Sequence, residues 1–584
     1  MPLLPVVAVC AIALGIAYIT YGRLISRWFG LDETRRTPAV ELNDGRDYVP
    51  ASVPVVLGGH FTAIAAAGPV VGPILAALAF GWLPALLWIV LGAIFIGGVH
   101  DAGSLIASIR HRARSITEVV RQHMSRTAYV TFLLFVWISL VYIVIAFTDV
   151  TAGTFANFQI ERVTRGGDSR AVVLNGGSVV AGAAAYLILS VVLGLAVRYT
   201  RIPWWCTWLA CIGALIGCIW QAPQIAGWLD GQGLTFMDTR DQDAARLTRH
   251  WDQVLLMYCL VASVTPMWLL LQPRGLIGAA FLGAALFFGV AGTLIDGWSG
   301  AGTLVARWPA FRGFTDTTGA WLFPFLFITI ACGACSGFHS IVSSGTTSKQ
   351  VRSEGDVRPI GYGAMLLEAL VAVFAVACVM ILTPEGAAAK PDTIYALGIG
   401  TFAAQVHVPL TFAVSFGLLA FSSFVFDTLD VCTRLGRYVL QEITGLKGFA
   451  GGALATIMTL AAPSLYLWNS PPGSFRTFWM IFGTSNQLLA ALTLVGVSVW
   501  LWRTGRPVWF ALVPAMFMVF TTATALVLNF QAFFAAYRIR PDRLLLTNMS
   551  IAAILFALGG LVVFEALRTW RMTRREIPRV AAEA

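Results

Sequence analysis

The chain is a succession of long apolar runs separated by short polar segments. A helix that crosses a bilayer needs about 20 mainly apolar residues, and fifteen runs approach that length. They lie at residues 3–21, 58–80, 82–109, 129–155, 172–197, 204–221, 254–271, 276–296, 321–348, 361–383, 408–430, 448–469, 479–501, 507–528 and 548–567. This pattern predicts an all-α polytopic membrane protein with about 15 transmembrane helices.

The second run carries its own helix breakers. Residues 58–73 read GGHFTAIAAAGPVVGP, with a histidine near the start and two Gly-Pro pairs. Backbone groups freed by a break at membrane depth must face protein or a water-filled cavity, because lipid cannot satisfy them. The ninth run has a similar texture in CGACSGFHSIVSSGTTSKQ, residues 332–350. We expect both spans to be interrupted and to lie side by side.

Two broken spans that run in opposite directions are typical of inverted-repeat transporters, whose broken helices meet at the substrate site. The pattern predicts one repeat at 58–221 and a second at 321–501. An N-terminal span and cytoplasmic loop (1–57), an outer loop and inserted helix pair (222–320), and a C-terminal helix pair and tail (502–584) complete the division. The alternative is that the glycines only let helices pack closely.

Composition and charge agree with a membrane protein and give its orientation. The 584 residues are 58% hydrophobic and 12% charged, which excludes an ordinary soluble domain. A net charge of +10 would suggest nucleic acid as the partner of a soluble chain. Here 26 of the 39 Lys and Arg residues fall in loops on one side, and none lies within a predicted span. The positive-inside rule then places the N-terminus outside and the C-terminus in the cytoplasm.

The nine cysteines lie in or beside apolar runs, where they act as small hydrophobic residues, so we predict no disulfide framework. Cys332, Cys335 and His339 fall on one helical face, a spacing that could present metal ligands. A fourth ligand has no obvious candidate. The prediction is therefore that the protein needs no metal or other cofactor.

Six blocks in order along the chain resemble the carbon starvation protein A family of bacterial inner-membrane transporters. They are LNDGRDYVP (42–50), GGHFTAIAAAGPVVGP (58–73), CGACSGFHSIVSSGTTSKQ (332–350), GYGAMLLEALVAV (361–373), FDTLDVCTRLGRYVLQE (426–442) and FGTSNQLLAALTL (482–494). The resemblance implies proton-driven uptake of peptides or pyruvate in a fold similar to the leucine-transporter type of inverted repeat. Gly59 departs from the family pattern, in which a second histidine often stands beside His60.

The candidate substrate site combines the two breaks with an amide pair in the thirteenth span. Ends of broken helices can offer N–H groups to a carboxylate without an arginine in the membrane. The candidates are His60, Gly68, Gly72, Gly333, Ser336, Gly337, His339, Ser343, Ser344, Asn486 and Gln487, with Thr346 as a further hydroxyl donor. The alternatives are helix capping for the histidines, bonding within the same helix for the hydroxyls, and helix bridging for the amides.

Acidic residues at membrane depth are the candidates for ion coupling. Asp427, Asp430 and Arg434 share one helical face, on which we expect Arg434 to hold Asp430 and Asp427 to be unpaired. The alternative is a structural ladder of ion pairs.

Two further acidic positions lie at similar depth. Glu368 in the tenth span is a second coupling candidate, and Asp101 beside His100 is a third. The coupling ion predicted is H+. The alternative is Na+ at the carbonyls of residues 65–68 with the hydroxyl of Ser422 or Ser423.

The loop before the first broken span supplies candidate gate residues, Asn43, Asp44 and Arg46, although a purely structural loop is the default. The function predicted is a secondary active transporter of small peptides or pyruvate-like carboxylates in the bacterial inner membrane. An intramembrane enzyme and a channel are the alternatives. No G-x-x-x-x-G-K-[ST], G-x-S-x-G or H-E-x-x-H motif is present. Nucleic acid is not predicted as a partner, and the oligomeric state is not defined.

Overall fold

The computed structural model describes residues 1–44, 48–65, 67–156, 158–165, 168–232, 244–300, 302–383, 389–471 and 475–583. These residues are nearly all helical. The α-helices are α1 Leu3–Ile19, α2 Tyr21–Phe29, α3 Pro38–Glu41, α4 Val53–Ile64, α5 Gly68–Phe80, α6 Trp82–Gly92, α7 Gly98–Arg110, α8 Ile116–His123, α9 Arg126–Phe155, α10 Gly176–Tyr199, α11 Trp204–Gly231, α12 Ala244–Val264, α13 Leu271–Ser299, α14 Leu322–Thr329, α15 Gly337–Gly345, α16 Ala364–Met380, α17 Pro391–Gln405, α18 Leu410–Thr444, α19 Gly448–Asn469, α20 Phe475–Arg503, α21 Trp509–Ile539 and α22 Arg543–Glu583.

Short irregular elements complete the secondary structure. Two π-helical segments, Ala93–Gly97 and Arg358–Gly363, lead into α7 and α16, and 3-10 turns lie at Thr347–Lys349 and Glu354–Asp356. An antiparallel hairpin, β1 Phe158–Arg165 and β2 Asp168–Asn175, joins α9 to α10. The predicted all-α class is correct apart from this hairpin.

Twelve helices of the described chain are long and apolar enough to cross a membrane, or thirteen if the bent pair α4–α5 counts as one span. The two other predicted spans correspond to α12 and to the pair α14–α15. The multi-span class is therefore confirmed, and the count of 15 stays a prediction.

The first broken span is interrupted where the Gly-Pro pattern predicts it. Helix α4 ends at Ile64, α5 begins at Gly68, and the two are bent by 46°. Pro69 lies in the first turn of α5, where its missing N–H costs nothing because that group has no partner within the helix. The predicted interruption is confirmed.

The second broken span runs beside the first in the opposite direction. Helix α14 ends at Thr329 and α15 begins at Gly337. The segment before α4 pairs with the segment after α15, because the Ala51 N–H donates to the Gln350 carbonyl over 3.0 Å. At the other end, the segment 311–314 bonds both Phe80, which ends α5, and Leu322, which begins α14. The predicted adjacency is thus observed, while the inverted-repeat relation stays a prediction.

Two connections differ from the predicted ones. Helix α17 occupies what the pattern treats as a loop after residue 383, and its 15 residues are shorter than a full span. It packs against α18, and Asp392 in its first turn accepts a hydrogen bond from Thr154 at 3.2 Å. The outer loop predicted from residue 222 also begins later, because α11 continues to Gly231.

Candidate functional site

Two amides of α20 satisfy backbone groups that the break in the second broken span sets free. The Asn486 side-chain oxygen accepts the Phe338 N–H at 2.9 Å in the first turn of α15, and its nitrogen donates to the Ser336 hydroxyl at 3.0 Å. The Gln487 nitrogen donates to the Phe327 carbonyl at 2.6 Å near the end of α14. Both amides therefore bridge helices, which is the alternative considered for them.

Two indoles donate hydrogen bonds to further backbone carbonyls at this break. Trp479 donates to the carbonyl of Thr329 at 3.3 Å, and Trp88 donates to the carbonyl of Ile330 at 3.2 Å. Free carbonyls at a helix end must find such partners when water is excluded. The break is thus buried, and these carbonyls have hydrogen-bond partners within the protein.

The glycines at the breaks make room for protein rather than for open space. A Cβ on Gly72 would lie 2.3 Å from the Thr329 carbonyl oxygen, and one on Gly68 would lie 2.3 Å from the Cys332 sulfur. A Cβ on Gly333 would meet Ala372, and one on Gly337 would meet the Asn486 backbone. The two broken spans therefore touch at Gly68 and Gly72, while Gly333 and Gly337 pack against α16 and α20. This agrees with the close-packing alternative, and substrate contact at these glycines stays a prediction.

Most candidate hydroxyls bond within their own helices. Ser344 donates to the Ser340 carbonyl and Thr346 to the Val342 carbonyl, and Ser422 and Ser423 bond to carbonyls of α18. The Ser343 hydroxyl is buried without a hydrogen-bond partner among the described residues. Of these hydroxyls, Ser343 is therefore the one that could still form a hydrogen bond with a further group.

A buried ionisable cluster lies between α7, α15 and α16. His339 Nδ1 is 2.8 Å from an Asp101 carboxylate oxygen, and His339 Nε2 is 3.2 Å from a Glu368 oxygen. The second Asp101 oxygen lies 2.7 Å from His100 Nδ1. All four side chains are fully buried. The Glu368 contact has the distance of an ion pair without hydrogen-bond alignment, so Glu368 is the most loosely held member.

His60 links α4 to the turn that follows α15. Its Nδ1 lies 2.9 Å from the Thr347 hydroxyl, its side chain is 2% exposed, and its Nε2 has no hydrogen-bond partner among the described residues. The first broken span thus contacts the second through a side chain of α4 as well as through the glycine packing of α5. Whether His60 contacts substrate stays a prediction.

A second ionic cluster, which we call the Arg274 cluster, corrects the expected role of Asp427. Arg274 in α13 is fully buried; its Nε lies 2.5 Å from an Asp427 oxygen and its Nη1 contacts Asp430. Tyr186 donates to Asp427 over 3.3 Å, and Tyr258 donates to Asp430 over 2.9 Å. Asp427 is therefore paired, contrary to the prediction, because a basic residue assigned to a loop lies inside the helix bundle.

The predicted pairing of Asp430 with Arg434 is also wrong in its geometry. Arg434 donates through one nitrogen to the carbonyls of Ala262 and Thr265, at 2.8 and 2.7 Å. These carbonyls lie at the end of α12, where backbone acceptors have no partner within the helix. Arg434 thus ties α18 to α12, and Arg274 takes the place it was expected to fill.

The predicted gate loop is described on either side of residues 45–47, so the tight turn expected there stays a prediction. The Tyr48 N–H donates to the Asp44 side chain at 2.9 Å, and Val49 bonds the Lys349 carbonyl next to the second broken span. Asn43 also makes an interaction. Arg46 lies outside the described residues, so the gate role stays a prediction.

Metal binding by the cysteine pair has no support in the geometry. Within the described ranges, no group of three or more His, Cys, Asp or Glu side chains is arranged to hold a metal ion. Cys332 accepts a weak contact from Asn486, and His339 faces Asp101 and Glu368 instead.

The residues that sequence reasoning missed are Arg274, Tyr186, Tyr258 and Thr347. Thr347 stands in the quoted block 332–350 beside the candidate Thr346, whereas Arg274, Tyr186 and Tyr258 stand in none of the six blocks, so spacing within one helix gave no signal for them.

Many membrane spans, two touching broken helices and buried ionisable clusters beside them define the class of membrane transporters. The chain belongs to the family described as Carbon starvation protein CstA, whose pattern matches residues 3–390 and 385–525. It is 33% identical to the peptide transporter CstA of Escherichia coli K12, over 87% of this chain and 78% of that protein. It is 31% identical to the pyruvate/proton symporter BtsT of the same organism, over 88% and 79%. A solved structure of the Eremococcus coleocola manganese transporter aligns with a TM-score of 0.46 and 13% identity, over 91% of this chain and 99% of the other.

Proposed function

We propose that the protein imports short peptides or pyruvate across the bacterial inner membrane together with protons, by alternating access. The names of its relatives support both substrates and, for one relative, proton symport. The N-terminus lies outside and the C-terminus in the cytoplasm, as the distribution of Lys and Arg indicates. The two five-helix units predicted at 58–221 and 321–501 would move relative to each other around the broken spans. No metal, cofactor or chemical change of the substrate is part of this proposal.

The observation that carries the proposal is the position of His339 between two carboxylates. Asp101 comes from α7, Glu368 from α16 and His339 from the second broken span. Charges buried this deeply are costly, and in membrane proteins they commonly mark ion pathways. An imidazole between two acids can gain or lose a proton without leaving an isolated charge. The cluster therefore provides a place where proton binding can alter how α15 is held against α7 and α16.

Uptake by the purified protein in proteoliposomes tests the proposal. Labelled pyruvate and labelled alanyl-alanine are supplied with an inward proton gradient, and then with an inward sodium gradient at equal pH. Accumulation above equilibrium with the proton gradient alone is expected for at least one substrate. Accumulation that requires sodium would contradict the choice of ion, and chemical conversion of the substrate without a gradient would indicate an enzyme.

A variant pair connects the coupling to the histidine cluster. Glu368→Gln removes the titratable carboxylate while keeping its shape, so accumulation driven by the proton gradient should be lost. The matched control is Glu565→Gln, because Glu565 is also buried but lies on α22, near Arg568 at 3.6 Å. Full accumulation by Glu368→Gln would remove this cluster from the coupling mechanism.

A further inference from the structure

Arg274 is a buried arginine beside the first broken span. Gly275 next to it packs against α4, where a Cβ on Gly275 would lie 3.6 Å from the Thr62 hydroxyl. The Arg274 Nη1 contacts Asp430 and its Nε is in ion contact with Asp427, but neither Nε nor Nη2 has a hydrogen-bond partner among the described residues. A guanidinium presents donors in a planar fork that matches a carboxylate. This fully buried arginine therefore has two neighbouring donors, Nε and Nη2, that are open to hydrogen bonding by a carboxylate.

The charge balance of the Arg274 cluster restricts what can enter it. One guanidinium faces two carboxylates, so the three groups carry a net charge of −1 when all are ionised. A carboxylate that entered alone would raise this to −2 in a medium that solvates charge poorly. A carboxylate that entered with one proton would leave the net charge unchanged. Entry of a carboxylate is thus favoured when a proton enters with it.

The other places suggested for a substrate carboxylate are occupied. The Phe338 N–H at the start of α15 is bonded to Asn486, and the spaces beside Gly68 and Gly72 are filled by Cys332 and Thr329. Arg434, the other buried arginine of this region, is bonded to two backbone carbonyls. Arg274 remains as the cation whose present partners are side-chain carboxylates, the same chemical group that the substrate would offer.

We propose that Arg274 binds the carboxylate of the transported substrate, and that Asp427 occupies this place when substrate is absent. A proton from the aqueous side binds an oxygen of Asp427, the Asp427 contact with Nε is released, and the substrate carboxylate takes it over. Asp430 stays on Nη1 throughout. The inference rests on the proposed function and deepens it, because it assigns the carboxylate site and makes the exchange of partners the coupling step.

The surroundings of Asp427 agree with such an exchange. It faces Arg274 from α13 and Tyr186 from α10, while Asp430 lies on its own helix and Tyr258 approaches from α12. Arg434 lies further along α18, and the α4 side chain that approaches Gly275, next to Arg274, is the uncharged Thr62. The Arg274 backbone carbonyl, 3.0 Å from the Tyr186 hydroxyl, is an alternative acceptor for its single hydrogen, so this hydroxyl keeps a partner when Asp427 moves.

Binding to the purified full-length protein in detergent, measured by calorimetry, separates this site from others. The probes are pyruvate and pyruvamide, and alanyl-alanine and its C-terminal amide, which differ only in the carboxylate. The wild-type protein should bind at least one acid about tenfold or more tighter than its amide, as expected for a charge-assisted hydrogen bond. Asp427→Asn should bind that acid tighter than wild type at pH 8 and with less dependence on pH, because Arg274 no longer has to be released.

The decisive variant is the double substitution Arg274→Gln with Asp427→Asn, which removes both charges of the pair, keeps the net charge of the cluster at −1 and leaves Asp430 its hydrogen bond from Tyr258. It should bind acid and amide equally. The matched control is Arg110→Gln with Glu354→Gln, since the part-buried Arg110, the last residue of α7, forms an ion pair at 2.8 Å with the fully buried Glu354. The control should keep the preference for the acid, and melting curves confirm folding of both.

Two results overturn the inference: a folded double variant that still prefers the acid, or a wild-type protein that binds acid and amide alike. Uptake by wild-type proteoliposomes answers a separate question, because it tests the proposed function and not the site. Proton-driven uptake combined with an unchanged acid preference in the double variant would refute the role of Arg274 alone. Absence of uptake by the wild type would refute the proposed function.

Discussion

Asn486 is the residue whose replacement should most directly disturb the break in the second broken span. Asn486→Leu keeps the approximate volume but removes the oxygen that accepts the Phe338 N–H and the nitrogen that donates to Ser336. The Phe338 N–H would then be buried without its partner, at a cost of about 1–3 kcal/mol. The lost donor to Ser336 adds about 1 kcal/mol. We expect a total loss of about 2–4 kcal/mol in the free energy of unfolding.

Asn529→Leu is the matched control. The Asn529 amide donates to the Thr484 hydroxyl over 3.3 Å, but Thr484 keeps its own bond to the Met480 carbonyl at 2.6 Å. The loss there should be below about 1 kcal/mol. Reversible denaturation in detergent micelles gives both values, and labelled uptake shows whether the destabilised break still transports. Equal losses for the two variants would refute the view that Asn486 holds the start of α15.

Three further expectations follow from the same geometry. His60→Ala should lower uptake about tenfold or more in a protein that melts normally, because the link to Thr347 and a free Nε2 are lost; normal uptake would reduce His60 to a helix cap. Asp427→Asn should abolish accumulation against a gradient but preserve substrate exchange, and retained accumulation with the wild-type dependence on pH would exclude it from coupling. In the loop helix α8, burial, together with His111 and Arg503, lowers the pKa of His123 to about 4 from 6.5. The unfolded chain therefore takes up a proton between pH 6.5 and 4 that the folded chain does not, so stability falls as the pH is lowered there; His123→Gln should flatten this part of the melting profile, and identical profiles would show that His123 is not responsible.

Hydrophobic pattern predicted most of the helices because lipid imposes a length and an apolar composition on each span. Gly-Pro pairs predicted the first break for an equally local reason, since proline removes a backbone donor and glycine permits close contact. Helix α17 was missed because its 15 residues are too short for that test. The partners of Asn486, Gln487 and His339 come from helices distant in sequence, so no spacing rule could supply them.

Arg274 shows how a correct rule can hide a buried, ion-paired residue. The segment LQPRG combines proline, arginine and glycine between two apolar runs, which is the usual composition of a loop. In the structure α13 begins at Leu271, Pro273 lies in its first turn, and the Arg274 side chain is fully buried. Removing Arg274 from the count of loop residues leaves 25 basic residues on the inner side, so the orientation prediction is unchanged.

The burial of Arg274 changes the interpretation of Asp427 and Asp430. Two carboxylates one helical turn apart need a cation, and Arg434 on the same helix is bonded to backbone carbonyls. The cation therefore has to come from another helix. Because Arg274 and its two carboxylates lie on different helices, the proposed exchange of its carboxylate partners becomes possible.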